Sequence, residues 1–274
     1  TTYDWNSNGK RISLYSRDSN TPLWFYYAGG HVLSVDISAD GEHIAAVTKN
    51  DKIILFDKDS STPLWTYNTN SGGVGGPISV AISSDGEYIT AGSRGSGATL
   101  YLFESNSSTP LWEYEGCVSE AVDISADGEY IVAVCSDKLH FFNKDDSTPL
   151  WSYDTDNSVW SVAISADGEY IVMGCSNDKV YLFDKDSNTP IWSYTTEDAL
   201  QSVDISADGE YIVSSSRDGI IYFFEKGSST PLWSYTTSTE FDVSRALVSI
   251  SADGKYVAAG TQSSSCSEPL ITSV

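Results

Sequence analysis

Two short phrases alternate six times along the chain, and this repetition constrains its fold more than any other feature. Ser38-Ala39-Asp40-Gly41-Glu42 returns, with small changes, at Ser83, Ser125, Ser165, Ser206 and Ser251. Thr21-Pro22-Leu23-Trp24 returns at Thr62, Thr109, Thr148, Thr189 and Thr230, once with Ile191 in place of leucine. The period is roughly 40 to 45 residues, the length of one four-stranded unit in a repeat array. Such continuity leaves no room for a linker, so one domain over residues 1–274 is expected.

The fourth unit shows the local logic. Val159 to Ile164 reads as an apolar strand, Asp167-Gly168 as a turn, and Tyr170 to Gly174 as the returning strand. Ser176-Asn177-Asp178 turns again into a third strand, Lys179 to Phe183, and a loop leads to Pro190-Ile191-Trp192-Ser193-Tyr194. Glycine after aspartate accepts positive φ, and proline at the start of an outer strand sacrifices no needed donor. One antiparallel meander cannot bury both of its faces, but stacked meanders can.

The expected architecture is all-β: a six-bladed β-propeller of four-stranded antiparallel blades. Arg11 to Tyr15 matches a third strand and Pro22 to Tyr26 a fourth. Leu247 to Ile250 and Tyr256 to Gly260 match a first and a second. The two ends are therefore expected to complete one blade and close the ring, removing its open edges. Thr2 to Trp5 and Glu268-Pro269-Leu270-Ile271 read as further, degenerate strands, which leaves a seven-bladed ring as the alternative.

The residues carry a resemblance to known families. Ser161-Val162-Ala163-Ile164-Ser165-Ala166-Asp167-Gly168-Glu169-Tyr170-Ile171 is similar to the first two strands of a WD40 blade. Third strands end in Phe183-Asp184, Phe56-Asp57, Phe103-Glu104, Phe142-Asn143 and Phe224-Glu225, where WD40 repeats carry Trp-Asp. Val180 to Tyr194 also resembles a quinoprotein-type repeat, whose outer tryptophan docks neighbouring blades; here Thr-Pro stands in place of that family's Thr-Gly-Lys. The resemblance implies a propeller and leaves function open, since propellers host unrelated activities.

Charge narrows the partners. With 38 acidic against 15 basic side chains the net charge is −23, which repels nucleic acid and anionic lipid surfaces. No apolar run is long enough to span a bilayer, so membrane insertion is not expected. Thr1 is not a start methionine and no secretory leader precedes it, so the chain is read as a processed form. Acidity and abundant Ser, Thr and Tyr lean toward an extracellular or cell-surface setting, with the cytoplasm as alternative. Cys117 lies just ahead of a strand expected to pair with the one ending at Cys135, so those two thiols can meet. Buried free thiols are the favoured reading for the four cysteines, Cys175 and Cys266 included.

Positions constant in all copies are best explained by folding; those that vary are free for binding. The connections between units vary, and just ahead of each Ser-Val or its equivalent one column reads Leu33, Ile78, Glu120, Trp160, Gln201, Ala246. With His31 and Arg245 these residues form the expected partner-binding set at the mouth of a central channel. Trp160 stands out because it lies outside the repeated phrase, and an aromatic at a rim is a natural anchor. Asp36, Asp123 and Asp204 recur on alternate inner strands, an oxygen cluster suited to calcium if they converge. The preferred reading has each aspartate bonding backbone or serine groups of its neighbour.

No nucleophile–base spacing is present, and His31, His43 and His140 show no grouping, so catalysis and an organic cofactor are not expected. The expected function is a non-enzymatic scaffold binding a protein or peptide, as a monomeric ring. The alternative is a lectin-like adhesive surface protein holding glycans on aromatic rims.

Overall fold

The computed structural model describes residues 10–69, 76–95, 97–237, 243–263 and 270–272. The described residues contain strands and turns and no helix, hence none long and apolar enough to cross a membrane. They form two compact units, one of residues 1–135 with 144–148, the other of 136–143 with 149–274.

In the first unit, β1 (Arg11–Tyr15) and β2 (Pro22–Tyr27) form a hairpin. Two four-stranded meanders follow: β3 (Val32–Ile37), β4 (His43–Thr48), β5 (Lys52–Asp57) and β6 (Trp65–Asn68), then β7 (Pro77–Ile82), β8 (Tyr88–Ser93), β9 (Thr99–Glu104) and β10 (Trp112–Glu115). β11 (Ser119–Ile124) pairs with β12 (Tyr130–Cys135). In the second unit, β13 (Lys138–Asn143) pairs with β14 (Trp151–Asp154). Two meanders follow again: β15 (Val159–Ile164), β16 (Tyr170–Cys175), β17 (Lys179–Asp184) and β18 (Trp192–Thr195), then β19 (Leu200–Ile205), β20 (Tyr211–Ser216), β21 (Ile220–Glu225) and β22 (Trp233–Thr236). A three-stranded sheet of β23 (Val243–Ile250), β24 (Val257–Ser263) and β25 (Leu270–Thr272) ends the chain. Every pairing is antiparallel, as the turn chemistry requires.

The expected joining of the two chain ends in one sheet is not what these residues show. Among the described residues β1 pairs with β2, and β25, the degenerate segment around Leu270, pairs with β24 at Ala259 to Thr261. The other degenerate segment, Thr2 to Trp5, lies outside the described residues.

The first phrase is constant because it satisfies itself. Ser165 Oγ donates to Asp167 Oδ1 at 2.6 Å and accepts the Tyr170 amide at 3.0 Å, while Asp167 Oδ1 also accepts the Glu169 amide at 3.0 Å. The same bonds recur around Ser206, and both serines are fully buried. Gly209 has φ +69°, and a Cβ there would stand 2.5 Å from the Tyr170 ring of the preceding sheet, so both backbone and space demand glycine. Adjacent turns are bonded to one another: the Ala166 amide donates to Ala207 O, and the Ala207 amide to Ala252 O, each at 3.0 Å.

The second phrase is constant because its tryptophan docks the next sheet. Indole Nε1 of Trp24 donates to Lys58 O at 2.6 Å, Trp65 to Ser105 O at 2.8 Å, Trp151 to Lys185 O at 2.6 Å and Trp192 to Lys226 O at 2.8 Å. Each indole also lies 5.2–5.7 Å from a third-strand phenylalanine of that sheet: Phe56, Phe103, Phe183 and Phe224. Between sheets the core is aliphatic, as where Ala163, Val172 and Leu182 meet Leu200, Val203 and Ile212.

Cys117 and Cys135 form a disulfide, with Cα atoms 4.6 Å apart, which corrects the expectation of free thiols. Pairing of Ser119 with Cys135 brings Cys117 alongside its partner. Cys175 is a buried free thiol, as expected, and Cys266 lies outside the described residues.

Candidate functional site

Within each meander the Asp-Gly and Thr-Pro turns share one end, and the Ser and Asp side chains of the Asp-Gly turns are consumed by the bonds above. The other end differs from sheet to sheet. There the first strand is interrupted by a β-bulge between Val32 and Ser34, Pro77 and Ser79, Val159 and Ser161, and Leu200 and Ser202. Leu33, Ile78, Trp160 and Gln201 are the extra residues. A bulge leaves its residue out of the ladder and re-aims its side chain, so the column read from the sequence is a set of displaced side chains.

Their environments are unequal. Trp160 is 46% exposed, and its indole makes neither a hydrogen bond nor a ring contact among the described residues. Gln201 turns inward, its Oε1 accepting the Ala246 amide of the neighbouring strand β23. Ala246 itself is buried and paired with Thr261, because the last sheet places its irregularity between Val243 and Arg245. Leu33 packs against the core that includes Val47 and Val80, and Ile78 is half-buried. His31 is half-buried and offers its carbonyl to the Lys49 amide at 2.8 Å. Glu120 and Arg245 lie on β11 and β23, with side chains outside the described residues.

The connections entering this end are ordered by threonines. Thr155 Oγ1 donates to the carbonyls of Asp137 and Asn157, and Asp156 adopts φ +55° beside them. Thr196 Oγ1 repeats the arrangement at Asp178 O and Asp198 O, at 2.8 and 2.7 Å. Trp160 thus follows a connection held at both ends rather than a free loop.

The three aspartates serve the backbone. Asp36 accepts the Ile37 amide on one oxygen and the Ile82 amide of the next sheet on the other, both at 2.9 Å. Asp204 does the same with Ile205 and Ile250, and also accepts the Ser249 hydroxyl at 3.0 Å. Asp123 accepts the Ile124 amide at 2.9 Å. Among the described residues no group of three or more His, Cys, Asp or Glu is placed to hold a metal ion.

Burial pushes the Asp36 and Asp204 carboxyls above the ordinary value, against the pull of the amides that bond them. The folded protein therefore holds these protons longer than the unfolded chain. That contribution to stability is fully present below the ordinary carboxylate range and is lost as pH rises through the folded value. Asparagine does not titrate, so the stability of wild type relative to Asp204→Asn is expected to fall as pH rises through and above the ordinary carboxylate range. Denaturant titrations across that range measure it, and a constant or rising difference would contradict the assignment.

Sequence reasoning missed one location. Trp233 belongs to the repeated phrase, yet it is 40% exposed and its Nε1 has no acceptor among the described residues. The available signal was the replacement of glutamate by Lys255 in the sixth copy of the first phrase.

Meanders repeated at a fixed period, with the outer tryptophans Trp24, Trp65, Trp151 and Trp192 docked on the following sheet, define the class: a β-propeller repeat protein of the quinoprotein type. More particularly, the model of the family described as outer membrane protein assembly factor BamB matches residues 8–158 and again 137–268, and the chain belongs to that family. The two matches overlap, as expected when a repeated unit can be aligned in more than one register. No curated protein matches the chain.

Proposed function

We propose that this chain is a non-enzymatic scaffold, a single propeller domain that binds a protein or peptide at the end of its sheets bearing the bulged residues. The observation that carries this is Trp160, an exposed, unstacked indole displaced from the ladder and set on an ordered connection. Aromatic residues of this kind supply much of the energy at protein interfaces. The family's name, an assembly factor for outer membrane protein, supports a protein partner and a setting outside the cytoplasm. The Cys117–Cys135 disulfide supports the same setting, because such bonds persist in oxidising compartments. Repeated glycan sites would need equivalent side chains in every sheet, and Leu33, Ile78, Trp160 and Gln201 are not equivalent.

The test compares wild type with Trp160→Ala as bait in an extract of the native source. The variant is expected to keep its stability within about 0.5 kcal/mol, since the indole packs on no ring. A partner held by wild type is expected to bind it at least about tenfold more weakly. Equal recovery by a folded variant would remove this end of the sheets from the function.

A further inference from the structure

The turn after β9 departs from its equivalents in other sheets. After β5, β13 and β17 a lysine and an aspartate stand side by side, Lys58-Asp59, Lys144-Asp145 and Lys185-Asp186, paired at 2.9, 3.0 and 3.4 Å. Each lysine also reaches a glutamate ahead of the second strand, Glu42, Glu129 or Glu169. After β9 the same two positions hold Ser105 and Asn106, so both charges are gone. Docking does not require the change, because the Ser105 carbonyl accepts Trp65 Nε1 at 2.8 Å just as the Lys58 carbonyl accepts that of Trp24. Ion pairs near the surface contribute little to stability, so losing them costs the fold little and frees the position for other chemistry.

The bonding of this turn leaves two residues free. The Ser107 amide donates to Glu104 O at 3.1 Å, and Ser107 Oγ accepts the Thr109 amide at 3.0 Å. Asn106 and Ser108, on either side, are exposed, and their side chains make no hydrogen bond or ion pair among the described residues. Asn106-Ser107-Ser108 places a hydroxyl two positions after an asparagine, the pattern that carries N-linked sugar on surface loops of exported proteins. Every other asparagine of the chain lacks Ser or Thr at that spacing, and Asn20 and Asn188 have proline there. Asn188, in the corresponding turn after β17, spends its amide on Ser152 O at 3.3 Å.

We propose that Asn106 is a glycosylation site whose side-chain amide carries an N-linked oligosaccharide. In the transfer, Asn106 Nδ2 bonds to the anomeric carbon of an oligosaccharide supplied on a lipid diphosphate. The bond from that carbon to the diphosphate oxygen breaks, the lipid diphosphate leaves, and the amide nitrogen gives up one proton to the transferase. Nothing is oxidised or reduced. Asn106 lies at the Thr-Pro end of its sheet, so the sugar projects away from the bulge at Ile78 and leaves that end uncovered. Such transfer needs export, so the proposal rests on the setting outside the cytoplasm proposed above and not on Trp160.

Mass spectrometry of the full chain purified from its native source tests this. The peptide containing Asn106 is expected to carry added sugar mass in most molecules, with fragment ions placing it on the asparagine. Expressed in the same source, Asn106→Gln and Ser108→Ala are expected to lose that mass completely, and Ser108→Thr to keep it. Circular dichroism confirms that each variant is folded, as expected for exposed side chains without partners. An unmodified Asn106 in wild type, sugar confined to Ser107 or Ser108, or added mass that survives Ser108→Ala overturns the proposal. The same digest reports whether Cys117 and Cys135 are joined, which separates the two readings. A bare Asn106 beside an intact disulfide overturns the glycan alone; a bare Asn106 with free thiols also removes the exported setting.

Discussion

Trp192→Ala lowers the stability of the protein by about 3 kcal/mol or more, whereas Trp233→Ala, the same substitution in the next copy of the phrase, costs less than about 1 kcal/mol. The two tryptophans share their sequence setting and differ in what they touch. Trp192 Nε1 bonds Lys226 O at 2.8 Å, and its ring lies 5.3 Å from that of Phe224, which is fully buried. It packs against the aliphatic core formed by Val203, Ile212 and Leu182. Removing it opens a void between two sheets and strands a carbonyl, and both terms are unfavourable. Trp233 stacks on Phe223 of its own sheet and is 40% exposed. In a chain of this size about 3 kcal/mol corresponds to a fall in Tm of roughly 6–12 °C, measurable by calorimetry. Trp192→Phe separates the contributions: it retains most of the packing, so its cost is about 1–2 kcal/mol. Equal Tm values for Trp192→Ala and Trp233→Ala would refute the docking account of the repeated phrase.

Loss of the Cys117–Cys135 disulfide has a comparable effect through the unfolded state. The bond closes a loop with a sequence separation of 18. Restricting a loop of that length stabilises the fold by about 3 kcal/mol in the chain-entropy account. Cys117→Ser/Cys135→Ser is therefore expected to lower Tm by roughly 6–12 °C under oxidising conditions. Reductant should lower the wild-type Tm toward the variant's and leave the variant where it is. Cys175 provides a control, since burial pushes its thiol up to about 12 and its side chain is inaccessible. A thiol reagent should thus label it only after unfolding. A wild-type Tm that ignores reductant would show that the bond contributes nothing to the fold.

Reading positions across the repeats works best where each residue answers to its immediate neighbours in the chain. Ser165, Asp167 and Gly168 make a turn whose partners lie within five residues, and the strands on either side follow from period-two alternation. Contacts to the next sheet were legible too, because one repeat predicts what the following one offers. Trp192 meets Phe224 for the same reason that Trp24 meets Phe56. The preferred reading of Asp204 also rested on the neighbouring copy, where Ser249 and the Ile250 amide supply its partners.

Positions where the copies diverge were harder, because divergence identifies a site without saying which way a side chain faces. Trp160 and Gln201 occupy equivalent bulges in successive sheets, yet one is exposed and the other spends its amide oxygen on Ala246. Nothing in their spacing separates them, since a bulge re-aims its residue according to the surrounding sheets. The disulfide was similarly open, because pairing of β11 with β12 permits the approach of two thiols without requiring the bond.

The sequence by itself determined the repeat, the four-stranded meander and the tryptophan docking, because each is set by contacts within one period or between identical successive periods. Only the tertiary structure decided which repeated residues lack their usual partner. Trp233 looks structural in the sequence, yet it is 40% exposed where Trp192 is docked on Lys226. Whether a repeated tryptophan is docked depends on what stands beside it, and local sequence does not encode that.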